Sequence, residues 1–336
     1  MAGNRNGAKR RALVVFCVAF ASVALFVVIL AIVSTSAAPR VVASSGAGSS
    51  APWRSHFRLA TTPRDPIVPN ANNYASRTTP SGPLLLFLAA TGHRPSDYRD
   101  FLRVAHARGY HVLALDYWNT GLSVQKTCGT NASCYGQVQR NRLDGSRPGE
   151  FSAVNRANSI VNRLTTALGR LQAQDPDGGW GRYVGRSGIR WNRIVVAGHS
   201  QGGGESAYIS HIHRVRGVLM FSSPVDSDHH VDAAWMARPG ATPASRLYGF
   251  VDSGDVFYQR VLASWRAMGM NALPSHEIVT HRYLGGPAAS HLREITDETP
   301  VAENGKPVFA ATWSWMLAQL YSGPGTAAAG KSTRTS

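Results

Sequence analysis

Along most of the chain, short continuous apolar runs alternate with stretches whose apolar residues recur at helical spacing. The first run, LLLFLAA at 84–90, is followed by a helical pattern at 97–108 and a second run, YHVLALD, at 110–116, which reads as two strands joined by a crossover helix. After an insertion at 117–150 the pattern predicts an amphipathic helix at 152–174 and a strand at 194–197 that runs into a helix. Further strands are predicted at 215–221, 245–251 and 277–284, with helices at 256–268 and 309–320. Strands of a parallel sheet are buried on both faces and so read as unbroken apolar runs. The order therefore predicts an α/β protein with a mostly parallel, doubly wound sheet, helices on both faces and small insertions. No internal repeat is present.

The ends of the chain break this pattern. Arg5, Lys9, Arg10 and Arg11 precede an uncharged apolar stretch at 12–33, long enough to span a bilayer, for which about 20 residues suffice. It reads as an uncleaved signal-anchor, with Thr35-Ser36-Ala37 leaving a cleavable signal peptide as the alternative. The basic residues stay in the cytoplasm by the positive-inside rule, which puts the rest of the chain in an extracytoplasmic location. The expected organisation is a membrane-directing segment at 1–38, a flexible linker rich in Ala, Ser, Pro and Gly at 39–65, a single domain at 66–321 and a disordered tail at 322–336.

The formal net charge of +16 is nearly all arginine, since the lysines are only Lys9, Lys126, Lys306 and Lys331. The arginines are spread along the chain and not clustered with aromatics, which argues against nucleic acid as a partner. Cys128 and Cys134 are the only cysteines beyond the apolar stretch, and their close spacing in an oxidising compartment predicts a local disulfide. Between them, Asn131-Ala132-Ser133 matches a glycosylation acceptor. No dinucleotide-type glycine fingerprint is present, and His211 and His213 lack a H-E-x-x-H frame, so neither a cofactor nor a metal is expected.

The most informative motif is Gly198-His199-Ser200-Gln201-Gly202, directly after the run Ile194-Val195-Val196-Ala197. A strand that turns sharply into a helix holds the middle residue in a strained conformation with its side chain presented, and flanking glycines avoid collision. Ser200 is the candidate nucleophile, and the backbone N–H of Gln201 is placed to meet a developing oxyanion. A nucleophilic serine needs a base, and the base needs an orienting carboxylate. Asp252 and Asp255 both follow the strand at 245–251. Asp255, past the turn glycine, is the preferred acid, and Asp252 is the alternative, as a turn cap. His291 follows the last strand and is the candidate base. A second oxyanion donor is expected from the loop Ala90-Thr91-Gly92-His93, from the N–H of Thr91 or of Ala90.

The string Gly198-His199-Ser200-Gln201-Gly202-Gly203, with Asp255 and His291 following in order, resembles the α/β-hydrolase superfamily over about residues 70 to 321. The Cys128 to Cys134 insertion and the stretch 191–204 look similar to a bacterial exported group within it. The chain departs from the commonest pattern in lacking a His-Gly pair in the oxyanion loop. The resemblance implies a serine hydrolase that cleaves a small-molecule or lipid-like carboxylic ester through an acyl-enzyme. A lipase, cutinase-like or polyester hydrolase is a variant, in which Trp118, Trp180 and Trp235 would touch an apolar substrate if they are not core. A non-catalytic cell-envelope protein with the same fold is the alternative from another class. A peptidase would need a larger cap than this chain has room for.

Overall fold

The computed structural model describes residues 52–59, 71–228 and 232–322. The expected membrane-directing segment and the tail from residue 323 lie outside these residues. Among the described residues, no helix is long and apolar enough to cross a membrane. In chain order the strands are β1 (Trp53–Phe57), β2 (Asn73–Arg77), β3 (Leu84–Leu88), β4 (His111–Leu115), a short pair β5 (Val184–Gly185) and β6 (Gly188–Ile189), then β7 (Ile194–His199), β8 (Gly217–Phe221), β9 (Leu247–Asp252) and β10 (Glu277–Thr280). The helices are α1 (Arg99–Ala107), α2 (Val124–Cys128), α3 (Ala132–Asp144), α4 (Ile160–Gln174), α5 (Gln201–Ile212), α6 (Tyr258–Ala267), α7 (Pro287–Arg293) and α8 (Ala310–Tyr321).

Eight strands form one sheet in the order β1-β2-β4-β3-β7-β8-β9-β10. β2 runs antiparallel to both β1 and β4, and every other pairing is parallel. Successive residues of a strand point to opposite faces, and the central strands show it. Leu84, Leu86 and Leu88 of β3, with Ile194 and Val196 of β7, join a core that includes Leu164 and Leu168 of α4 and Ala207 and Ile209 of α5. Leu85 and Phe87, with Val195 and Ala197, join a second core on the other face, with Phe101 of α1 and Trp313 and Leu317 of α8. The sheet is thus doubly wound, and it has the α/β-hydrolase fold. The chain leaves β3 toward β4 on one side, whereas β7 lies on the other. The two connections part between β3 and β7, and such sheets open a cleft there beyond the carboxyl ends of the strands.

Several boundaries differ from the sequence pattern. The linker expected at 39–65 contains β1, which pairs along its whole length with β2. The helix expected from 152 begins only at Ile160, because Ser159 is extended and its hydroxyl accepts the Asn162 N–H. The strand expected at 277–284 stops at Thr280. Beyond it the Arg282 N–H donates to Asp252 Oδ2 at 3.0 Å, and Tyr283 takes a left-handed φ of 47°. The insertion at 117–150 carries α2 and α3, joined by a Cys128–Cys134 disulfide with Cα atoms 5.4 Å apart. Asn131 caps α3 through its side-chain oxygen.

One buried ion pair ties β2 to the end of α4. Arg77 Nε and Nη2 each donate at 2.6 Å, to Asp175 Oδ2 and Oδ1, and Trp180 Nε1 donates to the same carboxylate at 2.9 Å. Removing one partner of a buried pair is far costlier than removing both. Asp175→Ala is expected to lower unfolding free energy by about 3–5 kcal/mol, read from the shift of the denaturant midpoint.

Candidate active site

β7 ends at His199, and Ser200 then takes φ 51° and ψ −116°, a conformation an L-residue holds only under constraint. The constraint comes from both neighbours. The Ser200 N–H donates to Phe221 O of β8 at 2.9 Å, and α5 starts at the next residue. A Cβ on Gly198 would lie 2.2 Å from Gly202 O, and one on Gly202 would lie 2.1 Å from Leu88 O. Only glycine fits either position, so the elbow presses against the end of β3. The first N–H groups of α5, with the helix dipole behind them, face the space beyond the strands.

The candidate acid and base follow β9 and β10. Asp255 follows β9, and its Oδ2 accepts His291 Nδ1–H at 2.9 Å. The same oxygen accepts the Ser222 hydroxyl, and Oδ1 accepts the Phe257 N–H at 2.7 Å. A carboxylate fixed by three donors holds one orientation of the ring, and it leaves His291 Nε2 as the ring's acceptor nitrogen. Asp252 instead caps the turn: its Oδ1 accepts the Gly254 N–H at 2.8 Å. His291 sits on the short helix α7, one turn after a Pro at its start. Ser200 and His291 line the same cavity, of about 330 Å³, together with Ala90, Thr91, Gln201 and Phe257.

His199, which reads from the sequence as a spacer, is fully buried and joins three parts of the site. Its Nε2 lies 2.8 Å from His291 O, which can only accept, so Nε2 carries the proton. Its Nδ1 therefore accepts from Tyr98 Oη at 3.0 Å, and Tyr98 Oη in turn accepts the Ala90 N–H at 3.0 Å. Burial, with the field of His291 adding to it, pushes the His199 pKa well below the ordinary imidazole value, so the ring is held neutral. This chain of hydrogen bonds also sorts the loop at 90–93, the candidate source of a second oxyanion donor. The N–H of Ala90 is taken by Tyr98, that of Gly92 by Asn119 O and that of His93 by Ala90 O. The Thr91 N–H is the one left in the loop without an acceptor among the described residues. The Thr91 hydroxyl donates to Gln201 Oε1 at 2.8 Å and so links the loop to the start of α5.

Behind the Asp255–His291 pair lies Glu294, fully buried, one helical turn after His291. Its Oε2 accepts the Asp252 N–H at 2.9 Å, which ties the end of α7 to the end of β9. Burial first, then the nearby Asp255 charge, raises its pKa well above the usual carboxyl range and favours the neutral acid. Glu205 on α5 is pushed up to about 8 by burial, against the opposing pull of Arg142. Tyr98, Ser222, His199 and Glu294 were not singled out by the sequence as working residues. Of these only His199 stands in the sequence motif, as a neighbour of Ser200. Trp118, Trp180 and Trp235 are all buried, and none lines the Ser200 cavity. Among the described residues, no group of three or more His, Cys, Asp or Glu could hold a metal.

No protein-family model and no curated protein matches the chain. Solved structures resemble it at low identity. An S-formylglutathione hydrolase from Agrobacterium tumefaciens is 14% identical, with 81% of this chain and 97% of that one covered and a TM-score of 0.47. An esterase of Pyrococcus furiosus is 12% identical, covering 80% and 94%, with a TM-score of 0.42. A putative dienelactone hydrolase from Klebsiella pneumoniae is 12% identical, covering 80% and 98%, with a TM-score of 0.40.

Two outcomes follow from the buried groups. His199→Phe keeps an aromatic ring but cuts the link from the oxyanion loop to His291, and a misplacement of this kind lowers turnover about a hundredfold. An activity assay at matched thermal stability reads it. Glu294 ionises in the unfolded chain above its model value of 4.5 but stays protonated when folded, so its burial costs stability increasingly as pH rises. Glu294→Gln is therefore expected to raise the melting temperature relative to the parent, by an increment that grows as pH rises above the model value of 4.5.

Proposed function

We propose that the chain is a serine hydrolase that cleaves small carboxylic esters through an acyl-enzyme, with Ser200 as nucleophile, His291 as base and Asp255 as its orienting carboxylate. The observation that carries this reading is the His291–Asp255 pair on the same cavity as a serine held at φ 51°. His291 Nε2 takes the Ser200 proton as Oγ attacks the ester carbonyl. The oxyanion is met by the N–H groups of Gln201 and Thr91. Collapse expels the alcohol, which receives the proton from His291. Water, deprotonated by the same nitrogen, then releases the acid and restores Ser200. Asp255 stabilises the imidazolium in both halves. A backbone strained at one residue beside such a pair favours a working site over a fold that has lost its chemistry.

A cavity of about 330 Å³ lies at the low end of the range for ligand sites, which supports short substrates over the long acyl chains of a lipase. The burial of the three tryptophans points the same way. The proposal places the domain outside the cytoplasmic membrane. The basic residues ahead of the apolar stretch at 12–33, and the Cys128–Cys134 disulfide, support that placement.

A fluorophosphonate probe is expected to label the intact protein and to leave Ser200→Ala unlabelled. Equal labelling of the two would end the assignment of Ser200. Asp255→Asn is expected to lower kcat by about ten-thousandfold while retaining the fold. Across p-nitrophenyl esters of increasing chain length, kcat/KM is expected to peak at short acyl groups, whereas a maximum at long chains would favour the lipase variant.

A further inference from the structure

Part of the Ser200 cavity lining is polar and is not used by the ester chemistry. It is built by Gln139 of α3, by Ser123, Val124 and Gln125 at the start of α2, and by Val225 and Asp226 in the segment after β8. Gln139 and Asp226 are 1% and 2% exposed, too deep to serve bulk solvent. Gln139 Nε2 donates to both oxygens of Asp226, at 2.9 and 2.7 Å, and Trp235 Nε1 donates to Oδ2 at 3.2 Å. Those bonds fix which end of the amide is which. With the nitrogen committed to the carboxylate, Gln139 Oε1 is the free end, and it accepts no hydrogen bond from any described residue.

A buried carbonyl left without a donor has lost its water and gained nothing in exchange, which is unfavourable unless a ligand supplies the donor. The wall is also rigidly made. Gln125 Nε2 donates to Val225 O, which joins α2 to the segment carrying Asp226. The Cys128–Cys134 disulfide joins α2 to α3. An acceptor held this firmly, on a residue that lines the same cavity as Ser200, is suited to a hydrogen-bond donor on the substrate.

We propose that Gln139 Oε1, oriented by Asp226, binds a hydroxyl group of the substrate, so that the site selects short esters hydroxylated on the acyl or the alcohol side over their unsubstituted counterparts. This rests on the ester-hydrolase reading of Ser200. A neutral hydroxyl fits better than an ammonium, because the free acceptor is an uncharged amide oxygen. The Asp226 carboxylate already receives Gln139 and Trp235, and Arg142 lies close enough for its positive charge to act on it. An aliphatic chain would bury the carbonyl without a partner, which is how such sites reject analogues that lack the group.

The test compares two matched pairs: p-nitrophenyl 3-hydroxybutyrate against p-nitrophenyl butyrate, and 2-hydroxyethyl acetate against ethyl acetate. The parent is expected to favour the hydroxylated member of at least one pair by about tenfold in kcat/KM, the worth of one neutral hydrogen bond. Gln139→Met, similar in shape but without the acceptor, is expected to bring that ratio close to one. A parent that discriminates in neither pair, or a ratio that survives Gln139→Met, overturns the proposal. So does a preference for p-nitrophenyl 3-aminobutyrate over the hydroxylated ester. Fluorophosphonate labelling of the same preparation keeps the two readings apart. A labelled enzyme without discrimination loses the hydroxyl site alone, and an unlabelled parent loses the hydrolase reading. In that second case, calorimetric binding of 3-hydroxybutyrate against butyrate to Ser200→Ala still decides the site. Equal affinity counts against it, and tighter binding of the hydroxylated acid supports it.

Discussion

The proton on His199 Nε2 constrains the whole site. His199 lies beside the nucleophile and contacts no substrate-facing space of its own, yet its two nitrogens hold opposite roles fixed by their partners. One donates to the main chain of the base, and the other accepts from Tyr98, which receives the oxyanion loop. Ser200, His291 and the loop at 90–93 follow three separate strands. A single neutral ring sets the spacing between them. A second proton on that ring would leave Tyr98 facing a donor, and burial opposes it. Neutrality of His199 is therefore a geometric condition on the site as much as an electrostatic one.

The same economy recurs behind the base. Asp255, Ser222 and Glu294 put two carboxyl groups in one dry compartment, and only one of them can bear charge cheaply. The raised Glu294 pKa favours the neutral acid there, beside the Asp255 carboxylate that accepts from His291. Asp252, which looks equivalent in sequence, is used up by the turn and by the first residues after β10. Two acids separated by a serine and a glycine thus take different work, decided by which backbone N–H groups lie within reach.

Much of the fold was legible because parallel strands carry a period and composition that helices do not. The runs at 84–90, 110–116 and 194–197 lie over β3, β4 and β7, and each was read slightly long or short. β1 and β2 were missed. WRSHF and NYASR are short and mixed in polarity, and their pairing with each other and with β4 is antiparallel and non-local. The elbow was legible because steric exclusion writes itself into sequence as glycine at fixed places. His199, Tyr98, Glu294 and Gln139 were not, because their roles rest on contacts between residues far apart in the chain. A histidine inside a motif and a glutamine inside a helix carry no local mark of what they meet.

The polar wall and the reacting groups stand on different supports. Ser200, Asp255 and His291 are placed by strand ends and the turns that follow them, whereas Gln139, Ser123 and Gln125 come from a pair of helices inserted between β4 and α4 and clasped by a disulfide. Substitution at those wall positions would change what the cavity recognises, on the proposed function, while leaving strand register, elbow and base untouched. On the proposed function, recognition is separable from chemistry, so a lineage carrying this scaffold can explore new substrates by variation in one inserted helix pair.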